Sequence, residues 1–193
     1  MNQIKLEQTK IKVKQILPPK RYEHTLGVMY TAAALAMRYH ENMYCALFAG
    51  LLHDCAKGFQ ESAVITLCNS FRIPISDVEH KNPGLLHAKL GARLADREYG
   101  ITDAYITDAI ACHTTGRPNM TLLDKILYVA DYMEPNRCEA PNLAEIRRLA
   151  FEDIDECLYA ILKATVTYLK QKDAVIDPMT EETYFYYKKE LNK

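Results

Sequence analysis

The chain has 193 residues, of which 49% are hydrophobic and 25% are charged, and its formal net charge is −1. This length suits a single domain, 1–193, with a sizeable core, and the charge balance lacks the basic excess that attracts nucleic acid or a membrane surface. The N-terminus has no apolar stretch like that of a signal peptide. The longest apolar run, Tyr44 to Leu52, is too short for a bilayer, which takes roughly 20 residues. We therefore expect a cytoplasmic protein with no nucleic-acid or membrane partner.

Helical periodicity runs through nearly the whole sequence, and no stretch alternates apolar and polar residues for long enough to predict a sheet. The predicted helices cover about 3–16, 19–39, 43–54, 60–69, 84–99, 103–113 and 121–133, then two that begin near 142 and 153, and a final one with the sequence ETYFYYKKEL. Residues with N-cap character precede five of them: Asn82, Thr102, Thr121, Asn142 and Asp153, the last two in the capping-box sequences NLAE and DIDE. The expected fold is all-α, a single helical bundle.

Six cysteines are scattered along the chain, and no two of them form a C-x-x-C pair. This spacing excludes a zinc ribbon and gives no disulfide framework, so we expect free thiols in a reducing compartment.

Four of the six histidines lie at the faces or ends of four different predicted helices: His24, His53, His87 and His113. A single histidine in such a setting is usually a satisfied core or surface residue. His40 and His80 lack this setting, and we expect them to be surface residues. Asp54 directly follows His53 where an apolar helix ends, and Asp131 lies among apolar residues. Because a buried carboxylate without a partner costs several kcal/mol, we expect Asp131 to meet either a metal or a neighbouring Arg or Lys.

Helices that pack on one another can bring these side chains to one point. Imidazole and carboxylate ligands together suit iron, manganese, cobalt or zinc. At a helix end, His53 and Asp54 can converge on one ion, and the two oxygens of Asp54 can bridge two ions.

The order H…HD…H…H…D resembles that of the HD-domain metal-dependent phosphohydrolases. The flanking sequences RYEHTLGV, AGLLHDCAK, HAKLGA and ACHTTGRPNMTLLDKILYVADYMEPNR are similar to those of the YqeK-type HD hydrolases, which are bacterial symmetrical diadenosine tetraphosphatases. The resemblance covers about 18–170, the expected metal-binding core. The Tyr-rich helix at 180–192 is expected to pack on this core or on a partner chain.

The resemblance implies a principal metal ion, iron, with four ligands: His24, His53, Asp54 and Asp131. It implies that His87 and His113 either hold a second, weaker divalent ion with Asp54 as the bridge or bind phosphate, and we favour phosphate. We expect Asp54, His87 and His113 to act in catalysis, with either histidine as the proton donor to the leaving oxygen.

Four further residues are candidates for contact with phosphate: Arg21, one turn before His24; Lys57, four residues after His53; Thr114; and Arg137. Each has a simpler alternative. Lys57 can be a solvated surface residue, the two arginines can form structural salt bridges, and the turn from Thr114 to Gly116 can serve only to end a helix.

The implied activity is metal-dependent hydrolysis of diadenosine tetraphosphate to two ADP, by a homodimer that can retain ADP or GDP. Two alternatives stay open at this point. One is an HD phosphohydrolase of another nucleotide, such as a nucleoside phosphate or a guanosine alarmone. The other is a non-enzymatic nucleotide sensor that keeps its metal for structure.

Overall fold

The computed structural model describes residues 3–140 and 142–192, and within these ranges it contains helices and no β-strand. The first seven helices are α1 (Gln3–Ile16), α2 (Pro19–Arg38), α3 (Met43–Leu52), α4 (Glu61–Ser70), α5 (Asp77–Lys81), α6 (Leu86–Arg97) and α7 (Ala104–Cys112). They are followed by α8 (Leu122–Met133), α9 (Leu143–Glu152), α10 (Ile154–Gln171) and α11 (Pro178–Glu190). The all-α prediction is confirmed. No described helix has both the length and the apolar character that crossing a membrane requires.

Several helices differ from the prediction. The predicted helix at 84–99 is a 3-10 turn, Pro83–Leu85, followed by α6. The short helix α5 was not predicted, because five residues are too few to show a helical period. In addition, α3 ends at Leu52, so His53 and Asp54 lie in the turn directly after it.

Two of the five predicted N-caps are present in the structure. Thr121 forms a reciprocal capping box with Asp124 at the start of α8. The side chain of Asp153 accepts hydrogen bonds from the first turn of α10. An N-cap of this kind satisfies backbone N–H groups that otherwise have no partner within the helix.

The other three predicted N-caps are wrong. Ser76 caps α5 instead of Asn82 capping the next helix, and Asp103 rather than Thr102 caps α7. Asn142 has a φ of 59° and makes no capping bond with its side chain. Capping requires an extended backbone that aims the side chain at the first turn, and residue type alone does not reveal that conformation.

We expect Asp103→Ala to lower the free energy of unfolding by about 1 kcal/mol, because its side chain accepts the Tyr105 N–H at 3.0 Å. The neighbouring change, Thr102→Ala, removes an exposed side chain that does not cap the helix and is expected to stay within about 0.5 kcal/mol of wild type. Urea unfolding of both variants measures the difference. Equal losses in the two variants would contradict the observed cap.

Packing of the central helices brings the chemically active residues together. α2 packs on α3 and α8, while α7 packs on α3, α6 and α8. Fully buried side chains such as Met29, Phe48 and Ile126 fill the space between these helices. The predicted ligands lie near one end of each element: near the start of α2 and of α6, just after α3 and α7, and in the last turn of α8. The bundle therefore gathers residues that are up to about a hundred positions apart in sequence.

The Tyr-rich helix α11 packs on its own chain. It lies against α10, where Tyr184 stacks on Tyr159 with ring centroids 5.9 Å apart. Tyr187 is buried, and its hydroxyl accepts the backbone N–H of Met120 at 2.9 Å. The Tyr-rich sequence thus belongs partly to the core of this chain, while Phe185 on the same helix is 55% exposed.

Candidate metal centre and adjoining cavity

Asp54 lies at the centre of the histidine cluster and is 3% exposed. Its Oδ2 lies 3.4 Å from His53 Nε2 and 3.9 Å from His24 Nε2. Its Oδ1 lies 3.2 Å from His87 Nε2 and 3.9 Å from His113 Nε2. One carboxylate therefore has a different pair of imidazoles on each of its two oxygens.

Asp131 approaches the cluster from α8. Its Oδ1 lies 3.0 Å from His24 Nε2 and 3.9 Å from His53 Nε2. The four residues predicted as ligands of the principal metal, Asp54 among them, thus lie within a single group of side chains.

The four imidazoles form a row in the order His24, His53, His113, His87. Successive ring centroids are 5.4, 5.1 and 5.0 Å apart, and neighbouring rings meet edge to face. Within this row, His87 Nε2 and His113 Nε2 are 3.1 Å apart.

Backbone carbonyls fix the orientation of three of the rings. In each case Nδ1 lies 2.6 to 2.7 Å from the carbonyl oxygen three residues earlier in the chain: Gly50 for His53, Gly84 for His87 and Ile110 for His113. Because a carbonyl oxygen can only accept, Nδ1 carries a proton in these rings, and Nε2 points into the cluster. This is the orientation that metal-ligating histidines usually have.

His24 has a side-chain partner instead. Its Nδ1 lies 3.1 Å from Oε1 of Glu134, a carboxylate that is 1% exposed. The sequence analysis missed Glu134, because a glutamate at a helix end before Pro135 is typical of a solvated surface residue. The one usable signal is Gly27, three residues after His24, where the missing side chain leaves room for a neighbour.

The cluster fits a metal ion of the expected kind. His24 Nε2 and His53 Nε2 are buried and make no hydrogen bond of good geometry, although carboxylate oxygens of Asp131 and Asp54 lie 3.0 and 3.4 Å away. Two overlapping groups, His24 with His53 and Asp131, and His53 with Asp54 and His113, each offer ligand atoms within 4.8 Å of one another. Imidazole and carboxylate together are the ligands that iron, manganese, cobalt and zinc share.

The charges of the cluster are strongly coupled. Burial opposes the charged forms of Asp54 and His53, yet their mutual attraction holds the pKa of Asp54 well below its usual range and raises the pKa of His53 to about 9. Burial, together with the charges of His87 and His53, lowers the pKa of His113 to about 3. At neutral pH, Asp54 is therefore ionised and His113 is neutral.

A cavity of about 700 Å³ adjoins the cluster. Ligand pockets are typically about 300–1,000 Å³ in volume. Most of the lining residues lie around the start of α2 or the end of α8, and Lys57 comes from the turn after α3. The full set is Pro18, Lys20, Arg21, Glu23, His24, Lys57, Glu134, Asn136 and Arg137. Four of them are cations, which makes the cavity suited to an anionic ligand.

The cations of the cavity also contact the cluster. Arg21 pairs with Asp54 at 2.9 Å, and Arg137 pairs with Asp131 at 3.1 Å. Both arginines therefore form the salt bridges that were their alternative role, and both also line the cavity. Lys57 is half-buried, its Nζ lies 3.4 Å from Gly84 O, and burial lowers the pKa of its ammonium group.

Thr114 lies half-buried at the end of α7 and does not line this cavity. Gly116 has a φ of 67°, and its N–H bonds to the carbonyl of Cys112 at 2.8 Å, as at the C-terminus of many helices. The backbone N–H of Gly116 is thus already used in ending α7.

The family model that describes the HD domain matches residues 21–136, a span that contains all four predicted ligands of the principal metal and the whole row of histidines. The chain belongs to the HD-domain family.

This HD-domain protein is similar over nearly its whole length to two curated enzymes, each named a symmetrical bis(5'-nucleosyl)-tetraphosphatase. It is 43% identical to the one from Bacillus subtilis over 172 residues, which are 89% of this chain and 91% of the relative. It is 35% identical to the one from Staphylococcus aureus over 184 residues, 94% of each chain. The resemblance to YqeK-type HD hydrolases is thereby confirmed.

A solved structure has the same fold. It is a predicted HD superfamily hydrolase involved in NAD metabolism from Clostridium acetobutylicum, with a TM-score of 0.91 and 38% sequence identity. The match covers 95% of this HD-domain protein and 97% of that chain.

Proposed function

We propose that this HD-domain protein is a metal-dependent hydrolase that cleaves diadenosine tetraphosphate symmetrically to two ADP. The observation that carries the proposal is the contact between the histidine–aspartate cluster and a cavity with four cations, since His24 belongs to both. The names of the full-length relatives support the choice of a dinucleoside tetraphosphate over other nucleotides.

In this proposal His24, His53, Asp54 and Asp131 hold the principal metal ion, which we propose to be iron. When bound, such an ion supplies Lewis acidity, which favours ionisation of a water molecule near neutral pH and offsets charge on phosphate oxygens. The Nε2 atoms of His87 and His113 lie 3.2 and 3.9 Å from Oδ1 of Asp54, whereas His24 and His53 face Oδ2. In that place they can contact phosphate or hold a second, weaker divalent ion.

The cations of the cavity bind one ADP half of the substrate. Arg21 and Arg137 present planar guanidinium groups, which suit two oxygens of one phosphate, and Lys57 adds a third positive charge. Their existing contacts with Asp54 and Asp131 place these groups beside the ligands of the principal ion. Thr114 is proposed only as an outer contact, because it lies outside the cavity lining.

The proposed reaction joins the oxygen of water to an inner phosphorus and breaks the bond from that phosphorus to the central bridging oxygen. The leaving ADP then takes a proton from Nε2 of His87 or His113, which must first be protonated there, and the negative charge of a bound phosphate favours that form. General acid catalysis of this kind contributes typically about 10²–10⁴-fold to a rate. Because the cations of the cavity bind only one half of the substrate, ADP can remain bound there as a product, and GDP can bind as an analogue of ADP.

The wider setting is also part of the proposal. We propose a homodimer, supported by exposed apolar side chains on and between α10 and α11: Tyr168, Val175 and Phe185. We propose that the enzyme works in the cytoplasm, supported by six free cysteines. The net charge of −1 favours a small anionic substrate over nucleic acid or a membrane surface.

Hydrolysis in ¹⁸O-labelled water tests the choice of bond. We expect ADP as the only nucleotide product, with one labelled oxygen in the terminal phosphate of half of the molecules, because each event adds one water to one of two equivalent halves. Chromatography followed by mass spectrometry measures both the products and the label. AMP with ATP would show cleavage of an outer phosphoanhydride bond and would refute symmetrical cleavage.

The same assay needs a control for contaminating enzymes. Asp54→Asn protein, prepared in parallel, is expected to release ADP at least roughly 10³-fold more slowly. A panel with guanosine tetraphosphate and deoxynucleoside triphosphates, tested with iron-loaded protein, then compares the alternatives. A higher kcat/KM for any of these than for diadenosine tetraphosphate would reassign the substrate.

A further inference from the structure

Glu134 contacts His24 on the edge of the ring that faces away from Asp131. One ring nitrogen, Nε2, lies 3.0 Å from Asp131 Oδ1, and the other, Nδ1, lies 3.1 Å from Glu134 Oε1. Glu134 is 1% exposed, and a buried carboxylate is stable only where its oxygens have partners. The imidazole of His24 is thus held between two carboxylates.

The second oxygen of Glu134 is held just as closely. Oε2 accepts the backbone N–H of Asn136 at 2.8 Å. On the other side lies Gly27, where an added Cβ would be 2.9 Å from Glu134 Cδ and closer still to Oε2. Since Gly27 lies three residues after His24, on the same face of α2, the glycine makes room for the carboxylate that contacts the histidine.

Arg147 of α9 fixes the backbone around Glu134. Its guanidinium donates hydrogen bonds to the carbonyls of Met133, Glu134 and Arg137 at 2.9, 3.0 and 2.8 Å. A cation at the C-terminus of a helix is favourable, because the last carbonyls of α8 carry partial negative charge. The segment that carries Glu134 is therefore anchored from outside the metal cluster.

We infer that Glu134 is a positioning residue for His24. Its carboxylate accepts a hydrogen bond from Nδ1–H of His24, and this bond fixes the tautomer of the ring. The lone pair of Nε2 then points into the cluster, and Nε2 becomes a stronger electron donor to a metal. The inference rests on the proposed role of His24 as a metal ligand. It assigns a function to Glu134 and Gly27, neither of which is among the proposed metal ligands or phosphate-binding cations.

Zinc affinity tests the inference without any measurement of hydrolysis. Zn²⁺ is titrated against a chromophoric chelator with wild type, Glu134→Leu, Gly27→Ala and Glu134→Gln. We expect the first two variants to bind zinc about 10–100-fold more weakly, as is typical when the outer partner of a ligating histidine is lost. Glu134→Gln keeps an acceptor oxygen but no charge, so its loss is expected to be smaller.

Ring nitrogen NMR of the zinc-loaded protein provides the second measurement. In wild type and Glu134→Gln, Nδ1 of His24 is expected to carry the proton and Nε2 the metal. In Gly27→Ala, where the carboxylate is displaced, we expect this signal to broaden or to split between tautomers. A merely structural role for Glu134 would leave the His24 signals of all folded variants unchanged.

Glu79→Gln is the matched control, because Glu79 is also a buried glutamate, 4% exposed, but pairs with Lys89. It is expected to lower stability and to leave zinc affinity unchanged. If Glu134→Leu does not fold, Gly27→Ala and Glu134→Gln serve as the test. The inference is overturned if both of these variants bind zinc as tightly as wild type does. Wild-type protein that binds zinc but does not cleave diadenosine tetraphosphate would instead refute the proposed function alone.

Discussion

Asp54→Asn is expected to lower the hydrolysis of diadenosine tetraphosphate by at least roughly 10³-fold, or about 4 kcal/mol in the activation barrier. The change preserves the shape of the side chain but removes the negative charge that faces four imidazoles and Arg21. It also removes one of the two carboxylates among the proposed metal ligands. Measured turnover and metal content after iron loading should fall together.

Asp96→Asn is the control for Asp54→Asn. Asp96 is a partly exposed aspartate whose long contact with Arg93, at 3.9 Å, lies outside the cluster. We expect this variant to keep wild-type activity and metal content, since exposed ion pairs contribute little. Circular dichroism should show the same helix content in both variants. An Asp54→Asn protein with a tenth or more of wild-type turnover would contradict the central role of this carboxylate.

Much of the fold could be predicted because the helices are long and have continuous apolar faces. The bounds of α1, at 3–16, follow directly from its pattern and from the two prolines after it. Local details could not be predicted, because they depend on backbone angles that the residue type does not fix. Asn142, which looked like an N-cap, has a left-handed backbone, and Ser76 caps a helix that is too short to recognise.

The residues of the cluster could be predicted because each is a polar group in an apolar setting. A histidine and an aspartate follow the apolar helix α3 and are both buried, and buried polar groups need partners. The surrounding contacts could not be predicted in the same way. The partner of His24 comes from 110 residues away, and the salt bridge between Arg21 and Asp54 depends on how α2 packs on the turn after α3.

His87→Ala and His113→Ala are expected to reduce turnover by about 10²–10⁴-fold, the range typical of a lost general acid. They are expected to leave most of the tightly bound metal in place. The reason is geometric, because both rings face Oδ1 of Asp54, whereas Oδ2 faces His24 and His53. Activity and metal content measured on the same preparations separate the two effects.

His80→Ala provides the control, because His80 is exposed on α5, and we expect it to match wild type in both measurements.

The metal content and KM of His87→Ala and His113→Ala then separate the two roles left open for His87 and His113. Loss of a weakly held second ion, with the tight ion retained, would assign His87 and His113 to a second metal bridged by Asp54. Full retention of metal with a raised KM would assign them to phosphate. An equal loss of tight metal and turnover would show that they ligate the principal ion. The proposal that only the histidines facing Oδ2 of Asp54 ligate that ion would then be wrong.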